Sequence, residues 1–324
     1  MMAVTLFGVA LVVFVLLRVA PGDPIAMMVG AGASAADIVA LRAHYGLDGS
    51  LPVQFALWLG AMLHGDFGTS ISLRRNVVEL IGERLPATLE LVFCALTLGL
   101  LLGIALAVVG TLAKRRSGEV AIDAVTGLLL AIPDFVWALL LVLLFGVAIP
   151  LFPLSGRVDP SLGTQYRTPF YLLESLATGE GTAARDVAAH LFMPVLALAL
   201  PLAAIIARVL KGALDEAMVQ DYVLLARVKG FSELRIVTRE ALRNAIGPTL
   251  ALTGVQFTFL LGGTVIVERI FSYPGLGNLA IEGVIARDLP LIQSIVLVFG
   301  LLFILTNLLV DLAVVGLNPK LRHG

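Results

Sequence analysis

The stretch Asp221–Gly247, DYVLLARVKGFSELRIVTREALRNAIG, is a polar island between two long apolar runs. It sets Arg227, Lys229, Arg235, Arg239 and Arg243 against Asp221, Glu233 and Glu240. The pattern predicts two helical pieces. Asp221 is placed to cap the first, and Gly230 to end it in the left-handed conformation. Ser232 is placed to cap a second helix leading into the next apolar segment. On the first piece Tyr222, Leu225 and Ala226 recur at i, i+3 and i+4, which predicts a small apolar knob flanked by Arg227 and Lys229. Such a knob suits a groove on another protein; the alternative is an amphipathic helix on anionic lipid.

The composition around the island explains its isolation. The chain has 324 residues, 59% hydrophobic and only 14% charged, against about 25% charged in ordinary soluble domains. That deficit marks a polytopic membrane protein. The net charge of −1 gives no sign of a nucleic-acid partner. Cys94 is the single cysteine, so no intrachain disulfide forms, and it reads as a small core hydrophobe. The histidines (44, 64, 190 and 323) are scattered without paired ligand spacing, which argues against a metal site. No GxxxxGK[ST] loop occurs, Gly275-Leu276-Gly277 stands as a lone G-x-G, and no nucleophile has a catalytic signature. An enzyme is not expected.

A span needs about 20 mostly apolar residues. Six runs qualify, near 3–20, 88–112, 122–149, 190–210, 248–267 and 290–316. The first has no Lys or Arg ahead of it and reads as a retained span, with an N-terminus that can be truncated. All four lysines (114, 211, 229 and 320) fall on one side, which predicts that the island and both termini are cytoplasmic. The chain then divides into a first span (1–20), an outer segment with short helices (21–87) and a five-helix core (88–324) that includes the cytoplasmic loop 211–247. In the outer segment, 21–24 is a sharp turn, 36–45 and 51–63 are short helices, and Pro86 stands in the first turn of the second span. Gly99, Gly103 and Ala107 form a small-xxx-small series suited to close helix packing. Pro133 and Pro201 are candidates to kink spans three and four, and Pro194 lies near the start of span four.

Four residues are candidates for a translocation pathway. Asp134 lies within the third apolar run, where a carboxylate costs about 2.5–3.5 kcal/mol on insertion scales. It must face protein or water, either lining a pathway that meets a substrate amine or cation, or pairing at an interface. Gln256 is a polar residue in the fifth span, with interhelical bonding as its other reading. Gly262 and Gly263 are adjacent in the same span, consistent with a kink, a close crossing or a pathway wall. Glu268, Arg269 and Asp311 read as interfacial partners rather than catalytic groups.

Four stretches carry a resemblance: 20–24 (Ala-Pro-Gly-Asp-Pro), 65–70 with 83–90, the island, and 271–277 (Phe-Ser-Tyr-Pro-Gly-Leu-Gly). In this order between spans they resemble the permease subunits of ATP-binding-cassette importers for dipeptides, oligopeptides and nickel. The resemblance implies an all-α, six-helix polytopic fold of the type I importer permease kind. In that family the island docks on an ATPase subunit, with the signature Glu-Ala-Ala, three residues, Gly, nine residues, Ile-x-Leu-Pro. Here Ala226, Gly230 and Leu242 match, while Leu224, Leu225, Glu240 and Arg243 depart; Ala-Arg-x-Lys-Gly and Ala-Leu-Arg-Asn-Ala resemble the peptide branch. The implied ATPase-coupling residues are Tyr222, Leu225, Ala226, Arg227, Lys229 and Gly230. The implied partners are a homologous second permease, two ATPase subunits that hold the ATP and Mg, and an extracytoplasmic substrate-binding protein. The implied location is the bacterial inner membrane, with no cofactor on this chain. The alternative function is an ATP-independent secondary transporter or channel, which calls for ion-coupling charges and often an inverted repeat.

Overall fold

The computed structural model of the chain describes residues 2–19, 49–113 and 116–317. Among these residues the fold is all-helical, with only an isolated bridge between Thr69 and Asn76. In chain order the helices are α1 (Met2–Val19), α2 (Leu51–Leu63), α3 (Val77–Leu112), α4 (Arg116–Ala131), α5 (Asp134–Leu141), α6 (Tyr171–Thr178), α7 (Gly181–Met218), α8 (Asp221–Val228), α9 (Leu242–Ile270), α10 (Leu276–Ile285) and α11 (Leu289–Leu317). Helices dominate because a helix satisfies its own backbone groups, which hydrocarbon cannot do for it. The expected features at 21–24 and 36–45, and Lys114 and Lys320, lie outside the described residues.

Four stretches are long and apolar enough to cross a bilayer: Val77–Leu112, Gly181–Met218, Glu233–Ile270 and Leu289–Val310. A bent pair, Ser117–Ala131 with Asp134–Ala148, meets at 95° and supplies a fifth if it is one span. Among the described residues, length and composition therefore give four or five spans where six are expected. The first apolar run supplies α1, whose 18 residues lie at the short end of the range of about 17–25 that can span.

The helices also outrun their apolar cores. Asn76 Oδ1 accepts from the Val78 N–H at 2.8 Å, so α3 starts at Val77 and Pro86 lies inside it rather than in its first turn. Pro194 and Pro201 both lie inside α7, which continues through them. Pro133 instead separates α4 from α5: its carbonyl accepts from the Val136 and Trp137 N–H groups and opens a new helix. Proline biases the residue before it, here Ile132, away from the helical region.

The contacts define two units. One comprises Met1–Pro86 with Asn278–Ile304. Within it Phe14 of α1 meets Phe55 and Trp58 of α2 at ring separations of 5.3 and 5.5 Å. The buried Asp288 carboxylate accepts from the Ser70 hydroxyl at 2.6 Å and from the Ser72 amide and hydroxyl at 2.9 and 2.8 Å, which holds the turn at 65–76.

The other unit comprises Ala87–Gly277 with Leu305–Gly324, and α7 is its centre, packed by α4, α5, α6 and α9. The small series on α3 meets α7 as expected. A Cβ on Gly99 would stand 2.6 Å from Leu202, and one on Gly103 2.6 Å from Ile206 and 2.9 Å from the Ala203 carbonyl. Ala107 continues the stripe against Leu210 and Leu214. Because backbone opposes Gly103, a larger residue forces the helices apart. Gly103→Leu is expected to cost about 1–3 kcal/mol, read as a lower thermal midpoint of the purified protein in detergent. Gly262→Ala, where nothing lies within 4 Å, leaves that midpoint unchanged.

Candidate functional site

The island folds as a short helix stapled to the foot of α9. Gly230 takes φ +79, its N–H donates to the Arg227 carbonyl at 2.9 Å, and the Phe231 N–H donates to the Ala226 carbonyl at 3.2 Å. This pair of bonds is a Schellman ending, which the sequence anticipates at Gly230. Ser232 Oγ accepts from the Arg235 N–H at 3.4 Å and caps the next turn, also as anticipated. Asp221 differs: the N-cap is Gln220, and Asp221 is the first helical residue. Beyond Arg235 the helix widens into a π turn, Ile236–Ala241, before α9 continues.

The knob is turned from its expected face. Val223 and Ala226 are buried against Ile236, with Met218 and Phe231 around them. Ala226 therefore anchors the helix and offers no surface. Leu225, at 55% exposure, and Tyr222 point outward, joined by Leu224 and Val228. The eight-residue helix is apolar on more than one face, so its periodicity leaves the choice to packing. Arg227 is paired to Glu233 at 3.1 Å, Arg235 lies over the Phe231 ring, and Lys229 is exposed at the helix end.

Three of the four pathway candidates converge. Asp134, Gln256 and Gly263 line one open cavity of about 170 Å³ between α5, α7 and α9, whose other lining includes apolar side chains such as Leu198 and Phe259. Gly262 is exposed on another side of α9, and the helix runs unbroken through both glycines. A kink at that pair is not found. A second cavity of about 360 Å³ lies between α3, α4 and α7, where Lys211 Nζ bridges Glu119 and Asp123 at 3.2 and 3.3 Å.

At the far end of α9 the Glu268 carboxylate is fully buried. The Thr88 hydroxyl donates to its Oε1 at 2.6 Å, and the Leu276 N–H donates to Thr88 Oγ1 at 2.8 Å. A Cβ on Gly275 would collide with the carboxylate. Burial pushes the neighbouring Tyr273 phenol up from its ordinary range. Two positions along α3, Glu90 accepts from Arg157 Nη2 at 2.7 Å and from the Leu172 N–H at 2.7 Å. The same guanidinium donates to the Pro169 carbonyl and lies 3.8 Å from the centre of the Tyr171 ring. Glu174 pins the strap before α6, and its carboxylate is held below its usual range first by the Arg167 amide and then by the Thr168 hydroxyl. The short motifs 83–90 and 271–277 are thus halves of one buried polar knot. Nothing in the sequence singles out Arg157, because an isolated arginine in a loop gives no local sign of its distant carboxylate.

Comparison with known sequences places this helical scaffold. The profile described as "binding-protein-dependent transport system inner membrane component" matches residues 99–323, and its N-terminal companion matches 1–92. The chain belongs to this family. Within the family it is 35% identical to the di/tripeptide transport system permease protein DppB of Pseudomonas aeruginosa, over 98% of this chain and 95% of the relative. It is equally identical to the dipeptide transport system permease protein DppB of Escherichia coli K12, over the same shares. Among solved structures it is similar to a chain of the inward-facing MetNI methionine ABC transporter, with TM-score 0.56 and 15% identity over 74% of this chain and 96% of that one. A second crystal form gives TM-score 0.54. The fold is therefore the type I importer permease fold.

In this family member the knot supplies a local stability test. Thr88→Val removes one donor to Glu268 and one acceptor for Leu276. Leaving buried polar groups unmet costs about 1–3 kcal/mol each, so a lower thermal midpoint is expected, with Thr88→Ser restoring most of it. At Gly230, Ala is expected to cost about 1–2 kcal/mol through its left-handed backbone, measured as faster amide exchange across 221–231.

Proposed function

We propose that this chain is one permease of an ATP-driven importer for peptides or a related small solute, embedded in the bacterial inner membrane with both termini cytoplasmic. A homologous second permease completes the membrane core, two ATPase subunits bind ATP and Mg, and an extracytoplasmic binding protein delivers the solute. This chain binds no cofactor in that scheme. The full-length similarity to dipeptide permeases supports the substrate class.

The observation that carries the coupling role is the island's geometry. A helix anchored by Val223 and Ala226 and stopped by Gly230 holds Tyr222 and Leu225 outward beside Arg227 and Lys229. Exposed aromatic and aliphatic groups on a rigid base are what a groove on a partner engages. The helix that follows continues to Ile270, so motion at the knob is carried along α9 past Gln256 and Gly263. ATP binding on the partners would then drive alternating access through the spans. An ATP-independent transporter gains nothing from an anchored outward knob.

Removing both outward side chains tests this reading. Tyr222→Ala with Leu225→Ala is expected to weaken ATPase-subunit retention at least about tenfold, since hot-spot truncations cost about 2 kcal/mol or more. Co-purification and solute-stimulated ATP hydrolysis in proteoliposomes provide the measurement. Unchanged retention and stimulation would exclude the knob from coupling.

A further inference from the structure

The cavity between α5, α7 and α9 has an unusual wall. A single carboxylate and a single amide, Asp134 and Gln256, stand among Leu198, Ile205, Phe259 and Leu260. Oδ1 of Asp134 accepts from the Phe135 N–H at 2.7 Å. No ion pair joins Asp134 to a described Lys, Arg or His. Gln256 is nine-tenths buried, and its amide makes no hydrogen bond to another described residue. Asp134 Oδ2 and the Gln256 amide have no hydrogen bond to another described residue and open onto a mostly apolar wall, which suits a polar occupant.

The sign of that occupant follows from the backbone. Asp134 is the first residue of a half-helix, set at 95° to the preceding one. The positive end of a broken helix ordinarily attracts an anionic ligand. Here the chain's own carboxylate already stands at that end, so a second anion is repelled and a cation is drawn to the carboxylate. Space is reserved for this arrangement: a Cβ on Gly263 would stand 2.7 Å from Asp134 Oδ2. The open groove of about 170 Å³ has the volume of about six waters, room for the amine-bearing end of a solute.

We propose that this cavity is a subsite for an ammonium group of the transported solute. The ammonium donates to Asp134 Oδ2 and to the Gln256 carbonyl oxygen, while Leu198 and Phe259 cover its first carbons. The proposal rests on the permease reading and adds a ligand chemistry to it. A carboxylate in this position discriminates charge and contributes little to discrimination of length.

Propylammonium and its neutral counterpart propionamide are the probes, applied to ATP-dependent uptake of labelled alanyl-alanine by the complete transporter in proteoliposomes. At tens of millimolar, propylammonium is expected to inhibit the wild type and propionamide to leave it unaffected. Asp134→Asn is expected to raise the inhibitory concentration about tenfold or more, Gly263→Ala to do the same, and Asp134→Glu to keep the inhibition. Binding-protein effects cancel, because every variant receives cargo from the same protein. Equal inhibition by both probes, or inhibition unchanged in Asp134→Asn, overturns the subsite while alanyl-alanine uptake leaves the permease reading standing. Failure of Asp134→Asn and Gly263→Ala to assemble also overturns it, since the role is then structural. Absence of any alanyl-alanine uptake by the wild type overturns the peptide reading, and the subsite with it.

Discussion

Burial of α7 is the constraint on which the larger unit depends. In its most apolar window 67% of residues are buried, against 28% in each of the other three long spans. A helix buried on most sides must be met closely by its neighbours, and in hydrocarbon close approach, not water exclusion, drives association. Gly99, Gly103 and Ala107 let α3 meet Leu202, Ile206 and Leu210 without side chains between the backbones. The other spans keep large outward apolar surfaces, such as Leu101, Val109 and Leu309.

From that centre, α9 gains its significance as a connector. The stretch Glu233–Ile270 is 38 residues long and rises about 57 Å at 1.5 Å per residue. Its lower end carries the knob, its middle offers Gln256 and Gly263 to the cavity, and its upper end buries Glu268 under Thr88 and the loop 271–277. One helix therefore touches the proposed docking surface, the proposed subsite and the polar knot. The π turn at Ile236–Ala241 is the place along it where the regular ladder is interrupted. π turns recur at functional sites, and this one sits between the knob and the membrane-spanning part.

Much of this was legible because the signals are local. Gly230 had to be a helix terminator and Ser232 a cap, since each requirement involves only the next few residues. The glycine series on α3 announced a close crossing, although not its partner. Pro133 behaved as a breaker and Pro201 did not, and nothing in either short context separates them; tertiary packing of α7 holds the second proline in line. Arg157 was invisible for a similar reason. Its carboxylate partner lies 67 positions away, and no pattern of spacing joins them.

The sequence by itself determined that the chain is a helical membrane protein, where the basic island begins and ends, and which residues punctuate it. Composition and capping chemistry suffice for these, because hydrocarbon admits few backbone solutions. Only the tertiary structure decided which face of Asp221–Val228 is buried, and that Gly263 rather than Gly262 confronts Asp134. A helix that is apolar on several sides has no preferred rotation of its own. The neighbours it packs against choose one, and Ile236 made that choice for the knob while α5 and α7 made it for the cavity.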